Sequence, residues 1–506
     1  MSSFIAPRSN FQKIRLAFSA VAVAMACCAA PCFANQTSTT TPVVVGGSLP
    51  YRVELRTVPT GGFALPTLHS YVRGEYENQW ILIAGRTNGL HDFTDDGLVN
   101  FPPASQNRDV WVIDVAQGQS WHRSLSAAET GLDQDVVDSL TPTNAQGVQI
   151  GDRLYMTGGY GFDATQGGFR TFDRLTAFDL PNLVDWVKQG TPAVADTFRQ
   201  LQDPAFHVTG GAMTHANGRT HLIFGQEFNG GYDPILSGEY TEQVRSFTIS
   251  DDGTNLSVEN VVYGDVVEDY HRRDLNVVPV IRRDGQGNVE QGWTALAGVF
   301  TLGDRAWTVP VEITADGEPS MADPLAADTF KQGMNIYQTA NLGMYSEQSG
   351  QMHTLLFGGI TYQFYDRDAG QFVNDNRFPF TNQATAVVVD ADGNYRQFLL
   401  DEEFPVIADE NGKRLRFGAN GEFFPSPGLP RYDNGVFKLD ELTGETTLGY
   451  IFGGLMADAG NNGRTAGSNF LFEVVLTPVP EPSSLLLAMF AAAGMIARRV
   501  RRPAAR

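Results

Sequence analysis

The chain has 506 residues, 42% of them hydrophobic and 18% charged, with a formal net charge of −21. That balance excludes a disordered chain and a polytopic membrane protein. Its 53 glycines and 11% aromatic residues favour a turn-rich β protein.

The N-terminus carries Arg8, Lys13 and Arg15 with no acid before them, then an apolar run over residues 16 to 30. Cys32-Phe33-Ala34 places small residues at −3 and −1 of a cleavage site. This order predicts a secretory leader over residues 1 to 34, cut after Ala34 by a signal peptidase. Cys27, Cys28 and Cys32 are the three cysteines of the chain. The exported protein is therefore expected to lack disulfides, thiol nucleophiles and Cys zinc sites, although export would permit disulfides.

Downstream of the leader, residues 51 to 56 alternate apolar and polar residues as a half-buried strand does. A repeat then occupies the middle of the chain. An apolar run ending in small residues occurs at Trp80 to Gly85, Leu154 to Gly159, His221 to Gly225, Thr294 to Gly298, Thr354 to Gly359 and Gly449 to Gly454. The intervals are 74, 67, 72, 61 and 95 residues, counted from Ala84, Gly158, Gly225, Ala297, Gly358 and Gly453. Polar, Gly-rich hairpin turns such as Gly151-Asp152, Asn217-Gly218 and Ser349-Gly350 precede the runs. A further strand follows each run and often ends in an acid: Asp109 to Asp114, Leu175 to Asp179, Arg245 to Ser250, Arg305 to Glu312, Thr385 to Asp390 and Asn469 to Glu473. Trp121 and Trp186 each lie seven residues after such an acid, Asp114 and Asp179. They read as blade packing. The prediction is four strands per unit, six times over.

This pattern resembles the kelch repeat over nearly all of residues 51 to 478. The resemblance is closest in the second, fifth and sixth units. It weakens in the third, where Gln226 stands in place of the second glycine, and in the fourth, with Ala297-Gly298. It implies an all-β, six-bladed β-propeller over residues 35 to 478, with loops longer than the family norm. A seventh blade has room between Phe398 and Asn434, but Pro425, Pro427 and Pro430 argue for a loop there. Asn469 to Leu476 reads as the third strand of the last blade. The strand at 51 to 56 is expected to close the ring as its fourth.

The C-terminus reads Val479-Pro480-Glu481-Pro482-Ser483-Ser484, an apolar run over residues 485 to 497, then Arg498, Arg499, Arg501, Arg502 and Arg506. This order resembles the PEP-CTERM sorting tail of Gram-negative bacteria. It implies processing near Pro480, Glu481 and Pro482 by an exosortase-type protease, with export, transient membrane anchoring and then the outer surface or matrix as destination. A 13-residue helix spans about 20 Å, short of the ~30 Å hydrocarbon core. The basic end is expected to stay cytoplasmic. The leader holds three positive charges and the residues after Pro482 five, which leaves −29 on residues 35 to 482. That surface excludes nucleic acid as a partner.

In a propeller, the loops between blades and those after the small-residue pairs share one face, which is the expected binding face. His207, Glu227, His271, Arg272, Arg273 and Arg431 are the candidate ligand residues there. Arg86, His91, Arg170, Asn229, Tyr232, Tyr365, Asp366 and Arg464 fall on the same segments. The run His271-Arg272-Arg273 either binds an anion or sugar carboxylate through a planar fork, or pairs with Glu268, Asp269 and Asp274. Residues 92 to 96, 366 to 368 and 390 to 394 are acidic enough for calcium, but none has EF-hand spacing and Asp is an ordinary turn residue. No cofactor is otherwise expected.

Two functions compete. One is a non-catalytic surface or matrix protein that binds glycan or protein, linked to exopolysaccharide and biofilm by its sorting tail. The other is a sugar-acting enzyme similar to the sialate mutarotase among six-bladed kelch proteins, with Glu227 and Arg273 as an acid and an arginine on the loop face. No motif aligns well enough to carry those roles over. A galactose-oxidase-like Tyr–Cys cofactor is excluded without a mature cysteine.

Overall fold

The computed structural model describes residues 40 to 479 apart from 93, 95, 233–237, 285 and 302–304. The leader and the apolar run at 485 to 497 lie outside the described residues. Among the described residues, no helix is long and apolar enough to cross a membrane.

The chain folds as a six-bladed β-propeller. Each blade is built on four antiparallel strands, paired in chain order in blades 1 to 5. Blade 1 comprises Val72–Tyr76, Gln79–Ile83, Asp109–Asp114 and Gln119–Ser124. Blades 2 to 5 follow from 146 to 403. Blade 6 takes Glu422–Pro425, Thr446–Phe452 and Leu471–Pro478 from the end of the chain and Tyr51–Thr57 from its beginning. The N-terminal strand pairs antiparallel with the last one, from Tyr51 opposite Pro478 to Thr57 opposite Phe472. Tyr51, Val53 and Leu55 are buried while Arg52 and Glu54 are exposed, as the alternation predicts.

The core lies between blades. Val72, Ile81 and Leu154 join blades 1 and 2. Tyr155, Met213 and Leu222 join blades 2 and 3. Trp80 and Leu82 of blade 1 meet Phe424 and Phe452 of blade 6 in the cluster that closes the ring. There Trp80 stacks on Phe424 at 4.1 Å between centroids.

The small-residue pairs have a conformational cause. At the end of the second strand of every blade, two successive residues adopt positive φ: Ala84-Gly85, Gly158-Gly159, Phe224-Gly225, Ala297-Gly298, Gly358-Gly359 and Gly453-Gly454. That geometry favours glycine. It aims the second N–H at the next blade. Gly85 donates to Pro142, Gly159 to Val208, Gly225 to Arg272, Gly298 to Ile336, Gly359 to Phe417 and Gly454 to Leu68, at 2.8 to 3.1 Å. The repeat is thus a six-fold set of blade-to-blade hydrogen bonds.

This corrects the third unit. Phe224-Gly225 is the pair, and Gln226 is the residue after it rather than a replaced glycine. Two other expectations change. The third strand of blade 4 is Val311–Thr314, later than residues 305 to 312, because Pro310 has no ladder donor. Trp121 sits on a strand of blade 1, whereas Trp186 sits on a helix, Leu180–Gln189, capped by Asp179 and Gly190. Their equal offsets are not equivalent positions, though both pack in the same core cluster. As the three prolines argue, no seventh blade forms between Phe398 and Asn434. Beyond that stretch the short strand Phe437–Lys438 adds in parallel to the innermost strand of blade 5, on the face opposite the pairs.

Candidate functional site

Just before each inner strand, one residue per blade approaches the axis. Asn144 donates its backbone N–H to Ser70, Gly210 to Asn144, Asp274 to Gly210, Gln338 to Asp274 and Asn420 to Gln338, at 2.8 to 3.2 Å. The sixth link is made by a side chain, Asn420 Nδ2 donating to Ser70 Oγ at 2.6 Å. Ser70, Asn144, Asp274 and Asn420 hold positive φ. Asn144 Nδ2 also donates to Asp274 Oδ1 at 3.0 Å, across the side-chain-free Gly210.

The residues following the small pairs stand beside this ring. They are Arg86, Tyr160, Gln226, Val299, Ile360 and Leu455. Backbone pairing holds Arg86 against His69, Tyr160 against Thr143, Gln226 against Thr209 and Val299 against Arg273. The position after the pair is thus polar in blades 1 to 3 and apolar in blades 4 to 6. Ile360 and Leu455 share an apolar cluster with Ala419, and Tyr337 packs against it.

Two arginines define the polar side. Arg273 donates from Nη1 to Gln226 Oε1 at 2.6 Å and lies 3.4 Å from Asp274. Its guanidinium sits over Phe300 and Tyr240 at 5.2 and 5.7 Å. Burial opposes its charge, but Tyr240 and Asp274 hold its pKa above the ordinary arginine value. Burial raises the Asp274 carboxyl, against the pull of Arg273 and a hydrogen bond from Tyr337. Arg86 lies over Phe101 at 4.8 Å and donates from Nε to Asn88 Oδ1 at 3.0 Å. Burial lowers its pKa to about 10. Among the described residues, no carboxylate pairs with it. His91 packs against Tyr232 and Phe101, at 4.6 and 5.3 Å between centroids. Burial, and after it the charges of Arg273 and Arg86, lower its pKa to about 4. The imidazole is neutral at pH 7 and lies within the field of both arginines.

The sequence candidates separate. Arg273 reaches the axial cluster. His207 and Glu227 pair with each other at 3.2 Å at the rim of blade 3, and Glu227 also accepts from Asn229. His271 stacks behind Tyr240 at 3.7 Å and bonds Glu242 at 2.6 Å. Arg272 is fully buried between blades. Its guanidinium donates to the carbonyls of Ala297, Val309 and Asp269 and lies 4.7 Å over Trp307. Burial lowers its pKa to about 9. It is a packing residue out of reach of a ligand, because adjacent residues in extended chain face opposite ways. Arg431 follows the inner strand of blade 6 instead of preceding it, so it belongs to the opposite face. Gln226, Tyr240, Phe300 and Tyr337 were missed. The place after each small pair was the available signal for Gln226.

The acidic loops act as turn caps. Asp390 accepts from the backbone of Asp392 and Asn394, and Asp366 from that of Asp368 and Ala369. Among the described residues, no group of three His, Cys, Asp or Glu is placed to hold a metal ion. The pocket of about 360 Å³ lined by Val309, Glu312, Phe330 and Tyr395 lies at the outer edge of blades 4 and 5, away from the axis.

Residues 478–502 match the PEP-CTERM protein-sorting motif. No curated protein matches the chain. Among solved structures, one described as "Structure of YjhT" is 12% identical over 82% of this chain and 96% of that chain, with a TM-score of 0.41.

Proposed function

We propose that this exported, sorting-tailed propeller is a binding protein that takes an acidic glycan at its axial cluster. The observation that carries this reading is Arg86 and Arg273, one from blade 1 and one from blade 4, flanking His91 among aromatic rings. The chain around them is strongly acidic, with −29 on residues 35 to 482. Two guanidinium groups favour a carboxylate. Phe101, Tyr232, Tyr240 and Phe300 supply apolar faces for a sugar ring. The PEP-CTERM motif implies processing by exosortase-type machinery, and surface polysaccharide or a biofilm matrix is the setting that supplies such a glycan. Kelch kinship accounts for the glycine pairs, and a signal peptidase cut after Ala34 accounts for the leader.

A glycan array tests the reading. Acidic glycans should be retained, and Arg273→Gln should weaken them about tenfold or more. Retention of neutral glycans alone, indifferent to that substitution, would refute it. One observation favours an enzyme instead. Asp274, raised by burial and bonded by Tyr337, sits beside Arg273, so an acid–base group and a cation are already in contact. Accelerated sugar anomerisation that Asp274→Asn abolishes would select that alternative.

A further inference from the structure

We propose that, while its tail is uncut, the propeller is tethered by the face opposite the axial cluster, so that the cluster faces away from the membrane. The direction of the strands carries this. The last strand, Leu471–Pro478, runs antiparallel to Thr446–Phe452, whose end bears the Gly453-Gly454 pair on the cluster face. Pro478 therefore lies at the opposite face. Tyr51 pairs with Pro478, and Val479 N–H donates to the Pro50 carbonyl at 2.9 Å. The chain is pinned to that face up to its last described residue.

Length does the rest. Val479 to Ser484 are the six residues before the apolar run. Fully extended they reach about 20 Å. The eight-residue strand Leu471–Pro478 is itself about 26 Å long. The linker is too short to climb the blade and turn the cluster towards the bilayer.

On the tethered face a segment lies over the inner edges of blades 4 and 5. Phe437–Lys438 pairs with Met344 and Tyr345. Asn434 Nδ2 donates to the Val280 carbonyl at 3.0 Å, and Val436 packs with Val278 and Val280. The cluster, on the face of the pairs, is thus open to a ligand from the outward side while the tail holds the other face. The turns of the tethered face expose Glu347, Asp392, Asp433, Glu441 and Glu445 among Arg52, Arg283 and Arg396, a mixed-charge surface that gives anionic headgroups little hold. The hold is a tether, not adhesion.

The exported chain has no cysteine, so single reporters are simple to place. Ser349→Cys and Thr443→Cys mark the tethered face, and Asn376→Cys marks the cluster face. Each exported protein, recovered with its tail from a host lacking the processing protease, is dye-labelled and reconstituted into vesicles carrying a headgroup energy acceptor. Ser349→Cys and Thr443→Cys should transfer energy strongly and Asn376→Cys weakly, with vesicle binding unchanged in high salt and lost on deletion of 479 to 506. Equal or reversed transfer would overturn the orientation. Binding that survives the deletion, or none with the tail intact, would overturn the tether. A glycan is not involved, so failure here is separable from failure of the glycan reading.

Discussion

Gly158 shows what one residue contributes. It holds φ +64, and a Cβ there would lie 1.9 Å from the carbonyl oxygen of Val208 in the next blade. Gly158→Ala is expected to destabilise by about 2 kcal/mol or more, through strain and through separating two blades. Gly218 also has positive φ, but its turn is open, with nothing within 4 Å of a Cβ. Gly218→Ala should cost only about 1 kcal/mol. Urea unfolding of both variants checks the contrast, and equal losses would remove the blade-contact explanation. The residue scale was also where sequence reasoning read least well. His271, Arg272 and Arg273 are contiguous, yet they end respectively behind Tyr240, between blades and at the axis. A run of charges records composition. The direction of each side chain depends on a backbone turn that no residue type in the run announces.

At the scale of elements, the sequence was more legible. Alternation in Tyr51–Thr57 and the missing partner of the last strand were both visible, and together they foretold the closure. Deleting residues 45 to 57 would strip the outer strand from blade 6 and expose part of the core that holds Leu448, Ile451 and Val474. The whole domain should then unfold cooperatively. Unchanged thermal melting of the deletion would contradict the closure's importance. Less legible was the register of the third repeat. Phe224 adopts the φ of a glycine, +55°, which a bulky residue does at a cost that the surrounding blade contacts offset. A search for paired small residues passes over it, and with it the alignment of Gln226 to Arg86. The Trp121 and Trp186 offsets misled in the opposite sense, since equal spacing arose on a strand and on a helix.

The whole molecule couples its stability to pH through buried histidines. Burial lowers His69 to about 3 and His353 to about 4, and it does the same for His91 at about 4 with help from Arg273 and Arg86. Their unfolded value is about 6.5. Each folded pKa lies below its unfolded one, so unfolding takes up protons below pH ~6.5. The histidines' share of the stability should be flat above that pH and fall towards pH 4, by at most about 1.4 kcal/mol per pH unit for each. Glu312, whose carboxyl burial raises to about 8, contributes the opposite slope. Urea midpoints of the parent and of His353→Gln between pH 7.5 and 4.5 separate the two: the variant should lose less stability on acidification than the parent, and equal losses would contradict the histidine share. Fold and address were legible because periodic strands, glycine pairs and a three-part tail are local patterns. The axial cluster was not, because Arg86 and Arg273, far apart in the chain, come within reach of His91 only after six blades close.

Recognition of negative charge on a sugar is what sets this cluster apart from the rest of the acidic surface. Calorimetric titration of the exported chain with a carboxylated sugar and with its neutral methyl ester measures it. The acid should bind about tenfold tighter or more, with Arg273→Gln erasing the difference. Equal affinity for acid and ester, or heat from neither, would contradict it.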